Sequence, residues 1–259
     1  MLKLKGGFAL SEFWYTDTTM RAIDPAYRSF IHFSPLHFFL IAVAAAICAA
    51  TAYFYKKSDA VLRRKILVVL AVLMVMSEIG KDLEALLTGQ WEWAYLPFHL
   101  CGINIFVCFF YALKPSDFAA EFLYATCLPG ATMALLVSTW NDLPFWNFMH
   151  LHSASVHIML VTFPVLLVCG GFVPNFRRLP KVLGILALLC VPIYFINPVL
   201  KSNFFFLNGT ENNPLLEALA GILGDKLYFL GFPVILGAVW LIMYLPWEIR
   251  KKRLGAKAK

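Results

Sequence analysis

Charge is what this sequence has least of. Asp, Glu, Lys and Arg make up 14% of its 259 residues, hydrophobic residues 61%, and the mean hydropathy is +0.73. Soluble domains carry about 25% charged and about 45 to 50% apolar residues, so a soluble fold is excluded and a polytopic membrane protein is implied. Paired cysteines are missing too: the six thiols (48, 101, 108, 127, 169, 190) all lie in apolar runs and none forms Cys-x-x-Cys. Neither a disulfide framework nor a zinc knuckle is expected. Residues 1–31 lack a basic start followed by an apolar stretch and a small-residue cleavage site. No removable signal peptide is therefore expected, and the first spanning helix directs insertion itself. The net charge of +7 has no groove-like or aromatic-interleaved patch behind it, so nucleic acid is not a candidate partner. No internal repeat or linker divides the chain.

What the sequence does contain is apolar runs near the roughly 20 residues a bilayer requires. They predict spans at Pro35–Tyr55, Ile66–Leu87, Leu96–Leu113, Phe118–Ser138, Ser153–Val173, Val182–Leu200 and Leu227–Leu245. The expected fold is an all-α membrane protein with a seven-transmembrane helical bundle over residues 32–247. An interfacial segment at 1–31, with Phe8, Phe13, Trp14 and Tyr15, precedes it, and a basic tail at 248–259 follows. Alternate loops divide the basic residues unequally. Lys56, Lys57, Arg63, Arg64, Lys65, Lys114, Arg177, Arg178, Lys181 and the six from Arg250 to Lys259 fall on one side, fifteen of the twenty-two. Cytoplasmic loops carry such an excess, so the N-terminus is expected outside and the C-terminus inside, in a cell membrane. Seven spans demand the same arrangement.

The stretch Leu96–Cys108, Leu-Pro-Phe-His-Leu-Cys-Gly-Ile-Asn-Ile-Phe-Val-Cys, places a histidine, two thiols and an amide in a segment that has to cross a membrane. Cys101, Asn104 and Cys108 share one helical stripe, and His99 points elsewhere. Unsatisfied polar groups in hydrocarbon cost several kcal/mol and turn inward. The expected topology sets the depth of the others. His150, Ser153 and His157 form a stripe in the approach to the fifth span, joined by His152. Asn197 and Asn203 come with the sixth span, and Glu78, Lys81 and Asp82 with the second. All are predicted to lie near the outer face. The loop from Lys201 to Lys226, with Phe204 to Phe206, is expected either to fold back as a lid over this shell or to form an interfacial aromatic belt.

Three readings of the shell remain open on the residues alone. In one, Cys101 attacks an acyl carbonyl and a histidine, His157 first among them, takes the thiol proton, while Asn104, Asn197 or Asn203 binds the oxyanion or fixes the imidazole. In another, His99, His150, His152, His157 and Asp82 ligate zinc or iron. In a third, the shell is the substrate site of a transporter or binding protein, with Pro97, Pro129, Pro192 and Pro198 interrupting helices.

These residues resemble the YwaF-type integral membrane family, which includes the animal transmembrane protein 164 group. The resemblance lies in Leu96-Pro97-Phe98-His99-Leu100-Cys101, in His157, and in Asn197 with Asn203-Phe204-Phe205-Phe206-Leu207. It implies a multi-pass enzyme-like fold whose animal members are described as cysteine-dependent acyltransferases acting on phospholipids. Cys101 would then be the nucleophile and His157 its base. The expected function is an intramembrane lipid acyltransferase or ester or thioester hydrolase near the outer leaflet. Membrane lipids are its expected substrate or ligand, His99, Asn104, His150, Asn197 and Asn203 support the site, and no metal or cofactor is required.

Overall fold

The computed structural model describes residues 12–211 and 213–257, all of them helix, turn or loop. Phe8, and the rest of the expected interfacial segment before Glu12, lie outside the described residues. The helices are α1 (Asp17–Ile23), α2 (Pro35–Lys57), α3 (Ala60–Leu87), α4 (Leu100–Leu113), α5 (Asp117–Phe122), α6 (Leu128–Leu136), α7 (Phe148–Cys169), α8 (Leu179–Leu200), α9 (Pro214–Leu223) and α10 (Phe232–Lys257). Among the described residues five stretches are long and apolar enough to cross a membrane: Pro35–Lys57, Asp117–Asp142, Phe148–Cys169, Phe176–Leu200 and Tyr228–Arg253.

Local chemistry sets the helix starts. Ser34, Asp59, Ser116, Asn147 and Asn213 each turn a side-chain oxygen onto a backbone N–H of the first turn, and Pro35 and Pro214 follow two of them. Such caps satisfy donors that the helix itself leaves unpaired. The Asn147 cap starts α7 five residues ahead of the expected Ser153. The expected span from Leu96 is shortened in the opposite sense. Leu96, ahead of a proline, and His99 are both extended (ψ 143 and 152), so α4 opens only at Leu100. Between α5 and α6 the residues Leu123–Cys127 form a π-helical turn, leading into Pro129, whose missing N–H cannot continue a regular ladder. The tail expected as a separate segment from 248 continues α10 as far as Lys257.

The main core is built by α3, α4, the π turn and α7, through Ala71, Met74, Ile105, Leu123, Leu160, Phe163 and Leu166. A second core joins the π turn to α8 and α10 through Tyr124, Val182, Trp240 and Tyr244. One carboxylate is sealed in at this join. Glu121 is fully buried and accepts from the Tyr244 hydroxyl at 2.6 Å, the Asn175 backbone N–H at 3.0 Å and the Arg178 guanidinium at 3.4 Å. Removing one member of a buried charged network costs about 3 to 5 kcal/mol. Glu121→Ala is accordingly expected to lower the thermal unfolding temperature in detergent by several degrees, whereas Glu248→Ala, on the surface, leaves it unchanged.

At the other end the N-terminal residues form a cap. The Gln90 side chain donates to the Trp14 carbonyl at 2.8 Å and accepts from Thr19 Oγ1, while Asn147 Nδ2 donates to the carbonyls of Tyr15 (2.7 Å) and Glu12 (2.8 Å). Arg21 pairs with Asp142 at 2.8 Å. The Tyr95 hydroxyl donates to Asp17 at 3.0 Å, and burial pushes this phenol up, so it stays a donor at any physiological pH. The cap closes the end where α3 finishes and α7 begins.

Candidate functional site

Beneath this cap, α3, α4 and α7 bring ionisable groups together. Lys81 pairs with Glu78 one turn back on α3, donates to the Tyr95 carbonyl at 2.6 Å and comes within 3.4 Å of Asp82. The side chains of Lys81 and Glu78 are each 11% exposed, so a full charge pair is held largely out of solvent. From α7, His152 places Nδ1 2.9 Å from the Ser77 hydroxyl and Nε2 3.6 Å from the second Glu78 oxygen. Lys81 therefore takes one oxygen of Glu78 and His152 faces the other.

His157 is oriented differently. Its Nδ1 lies 2.7 Å from the Ser153 carbonyl one turn back, so this nitrogen must carry the proton. Nε2 then keeps its lone pair free to accept a proton. The ring stacks on Trp140, with centroids 4.7 Å apart and planes 24° from parallel, which fixes its rotation. His99, at the N-cap of α4, is gripped by Phe204 and Phe206, at centroid distances of 5.2 and 5.5 Å. Both His99 and His152 lie within electrostatic reach of Lys81 and His157. Cys101 follows in the first turn of α4, with Glu78 and Cys127 as its electrostatic neighbours. His99, Cys101 and His157 are each half-buried.

Two groups of expected site residues sit apart from this cluster. His150 is separated from His99, His152 and His157. Starting α7 at Phe148 puts His150 in the first turn, where its ring meets the edge of Phe30 (6.0 Å) and Phe145 (5.5 Å), 3% exposed. Phe30 in turn stacks on His37 at 4.9 Å, so His150 belongs to a separate cluster at the start of α2. Asn197 and Asn203 come near the shell without offering it hydrogen bonds. Asn197 donates both amide hydrogens, to the Phe204 carbonyl (3.0 Å) and Asn208 Oδ1 (2.6 Å), and its oxygen accepts from Phe204 N–H (2.9 Å) and Ser202 (3.2 Å). Asn203 is bound to Gly209, Glu211 and Asn208 in the same way. No amide hydrogen of Asn197 is left for an oxyanion. The pair instead folds the 201–211 loop back so that Phe204 and Phe206 meet His99. Asn104 is buried on the predicted stripe, its oxygen accepting from Thr126 at 3.2 Å.

Ser77 and Trp140 complete the cluster, and nothing in the sequence singles them out: one serine in an apolar helix and one tryptophan near a helix end are both ordinary. Gly102 has a specific reason. A Cβ there would stand 2.7 Å from the Pro97 carbonyl oxygen and 2.8 Å from its Cα, both backbone atoms. Gly102→Ala is therefore expected to push the Leu96–His99 segment off α4, at a cost of about 1 to 3 kcal/mol. Gly130→Ala, whose Cβ would meet nothing closer than 4.0 Å, serves as the control in the same unfolding measurement.

Among the described residues no three His, Cys, Asp or Glu side chains gather as a metal-binding set. The ligands of the metal reading are divided instead between the Lys81 network and the Phe30 cluster. Two open hollows, about 380 and 370 Å³, lie at the opposite end around Asp117, Arg178, Lys251, Tyr55 and Tyr111, and share no residue with the cluster.

Membrane-length apolar helices packed around a cluster of thiol, imidazole, carboxylate and ammonium groups define a multi-pass integral membrane protein. Residues 32–244 match the TMEM164 family, and the chain belongs to it. Neither the curated proteins nor the solved structures contain a match to the chain.

Proposed function

We propose that the protein transfers or hydrolyses acyl groups of membrane lipids through a transient thioester on Cys101. The observation that carries this reading is the orientation of His157: Nδ1 is tied to Ser153, the ring is held by Trp140, and Nε2 keeps its lone pair, in the same group of half-buried polar residues as Cys101. His157 Nε2 accepts the proton as the Cys101 sulfur bonds to the ester carbonyl carbon. The carbon–oxygen bond to the lipid alcohol then breaks, and the imidazolium returns the proton to that alcohol. An alcohol or water takes the acyl group in the reverse sequence. Lys81 supplies positive potential, and His99 a neutral ring donor, where negative charge develops. Incubating the purified protein with a labelled phospholipid is expected to leave hydroxylamine-sensitive label on the Cys101 peptide. Equal label on the Cys101→Ser variant, or lipid turnover with no label on wild type, overturns the reading.

The same proposal includes seven spans with the N-terminus outside. Support comes from the fifteen-to-seven division of basic residues, and from α3, whose 28 residues reach about 42 Å despite the charges at its two ends. The 14 residues of α4 reach only about 21 Å, so the extended Leu96–His99 segment covers the remaining depth. The cluster then lies at the outer leaflet, at the level of an ester carbonyl. Reporter fusions after Lys57 and after Arg178 are expected to behave as cytoplasmic. External behaviour at both sites reverses the assignment.

A further inference from the structure

Apart from the thiol, the cluster holds a second group of residues in a nucleophile arrangement. Ser77 Oγ is 2.9 Å from His152 Nδ1, and the opposite nitrogen of the same ring faces a Glu78 oxygen at 3.6 Å. Serine, histidine and carboxylate thus follow one another in line. Either imidazole nitrogen can serve as base; a ring protonated at Nε2, which Glu78 holds at 3.6 Å by charge attraction rather than by a hydrogen bond, leaves the Nδ1 lone pair to accept the Ser77 hydroxyl proton. The Glu78 carboxylate is itself fixed from its other side by Lys81. The His152 side chain is 8% exposed, and Ser77 beside it is half-buried. Leu73, one turn earlier on the same face of α3, is 51% exposed and gives an apolar chain a path to Ser77. Lys81 stands one turn further on that face, a cation beside the position a tetrahedral oxyanion would take.

We propose that Ser77, His152 and Glu78 form a second acyl-accepting centre for carboxylic esters carrying an apolar chain, with Ser77 as nucleophile, His152 as general base and Glu78 as the group that positions His152. Ser77 Oγ bonds to the ester carbonyl carbon while its proton passes to His152 Nδ1. The ester carbon–oxygen bond breaks, and the departing alkoxide takes the proton back from His152 and leaves as the alcohol. Water then attacks the acyl-serine, His152 accepting its proton and returning it to Ser77, and a carboxylic acid is released. The step uses no thiol, so it goes beyond the Cys101 reading and fails or succeeds independently of it.

The test uses an alkyl fluorophosphonate, which bonds phosphorus to an activated serine oxygen as fluoride leaves. On the full-length protein in detergent, the label is expected on the tryptic peptide Ile66–Lys81, whose one serine is Ser77. Cys101→Ala is expected to take the label at the wild-type rate, which separates this centre from the thioester. His152→Gln is expected to slow labelling at least about 100-fold, the usual contribution of a general base, with an unfolding temperature near wild type as the check on folding. Glu78→Gln is expected to slow it less. A wild-type protein unlabelled on Ile66–Lys81, or a folded His152→Gln variant labelled there at the wild-type rate, overturns the proposal.

Discussion

Cys101→Ala and His157→Gln are each expected to lower lipid acyl turnover by about 100-fold or more while leaving the fold intact. The magnitude follows from the roles: losing the nucleophile removes the covalent path, and losing a general base costs about 10² to 10⁴ in rate. The two losses are not expected to add, because a base without a nucleophile has nothing to deprotonate. Stability should change little, since Cys101 and His157 are only half-buried and Cys101 packs at the edge of the main core rather than within it. Cys108 gives the contrast. It shares the α4 stripe and is fully buried, so Cys108→Ala removes core volume at about 1 kcal/mol and leaves the rate unchanged. Turnover of a labelled phospholipid, measured beside thermal unfolding for the three variants, decides the matter. Equal rates for Cys101→Ala and Cys108→Ala remove Cys101 from the chemistry.

The second large effect is expected at Asn197. Asn197→Leu deletes four hydrogen bonds and leaves the Phe204 backbone N–H and carbonyl unpaired in a buried site. Each buried polar group so orphaned costs about 1 to 3 kcal/mol, and a loss of about 3 kcal/mol or more is expected. The loop has no local preference to fall back on. Lys201, Phe205, Phe206 and Glu211 all hold positive φ, between 51° and 58°, a region that costs a residue with a Cβ about 1 to 2 kcal/mol. Released from Asn197, these residues should relax, and the Phe204 and Phe206 rings should leave His99. The expected readout is rapid trypsin cleavage at Lys201 together with a lowered unfolding temperature. Turnover should also fall, because the rings that grip His99 move with the loop. Wild-type protection of Lys201 in the variant defeats this account.

The organising stretch shows how far one-dimensional spacing reaches. Cys101, Asn104 and Cys108 fall on one stripe because three- and four-residue spacing is enough to place them, and α4 bears that out from Leu100 onward. The helix start was less legible: the caps at Asn147 and Asn213 are short polar signals beside long apolar runs, and they move α7 forward and create α9. The π turn at Leu123–Cys127 leaves little trace beyond the proline that follows it.

Sequence by itself determined the membrane class, the all-helical architecture and the family, because hydrocarbon admits few spanning structures and each helix signals itself through about 20 contiguous apolar residues. The importance of Leu96–Cys101 was legible in the same way, as polar groups that needed partners. Which partners they found was decided only by the tertiary structure. His152 rather than His150 joins Lys81, because the cap at Asn147 sets the rotation of α7 against α3. Asn197 and Asn203 turn to their own loop, because backbone groups only a few residues away satisfy them first. Ser77 gains significance only through a ring 75 residues away. Such pairings depend on helix rotation and depth, quantities fixed by packing between segments and carried by no single one of them.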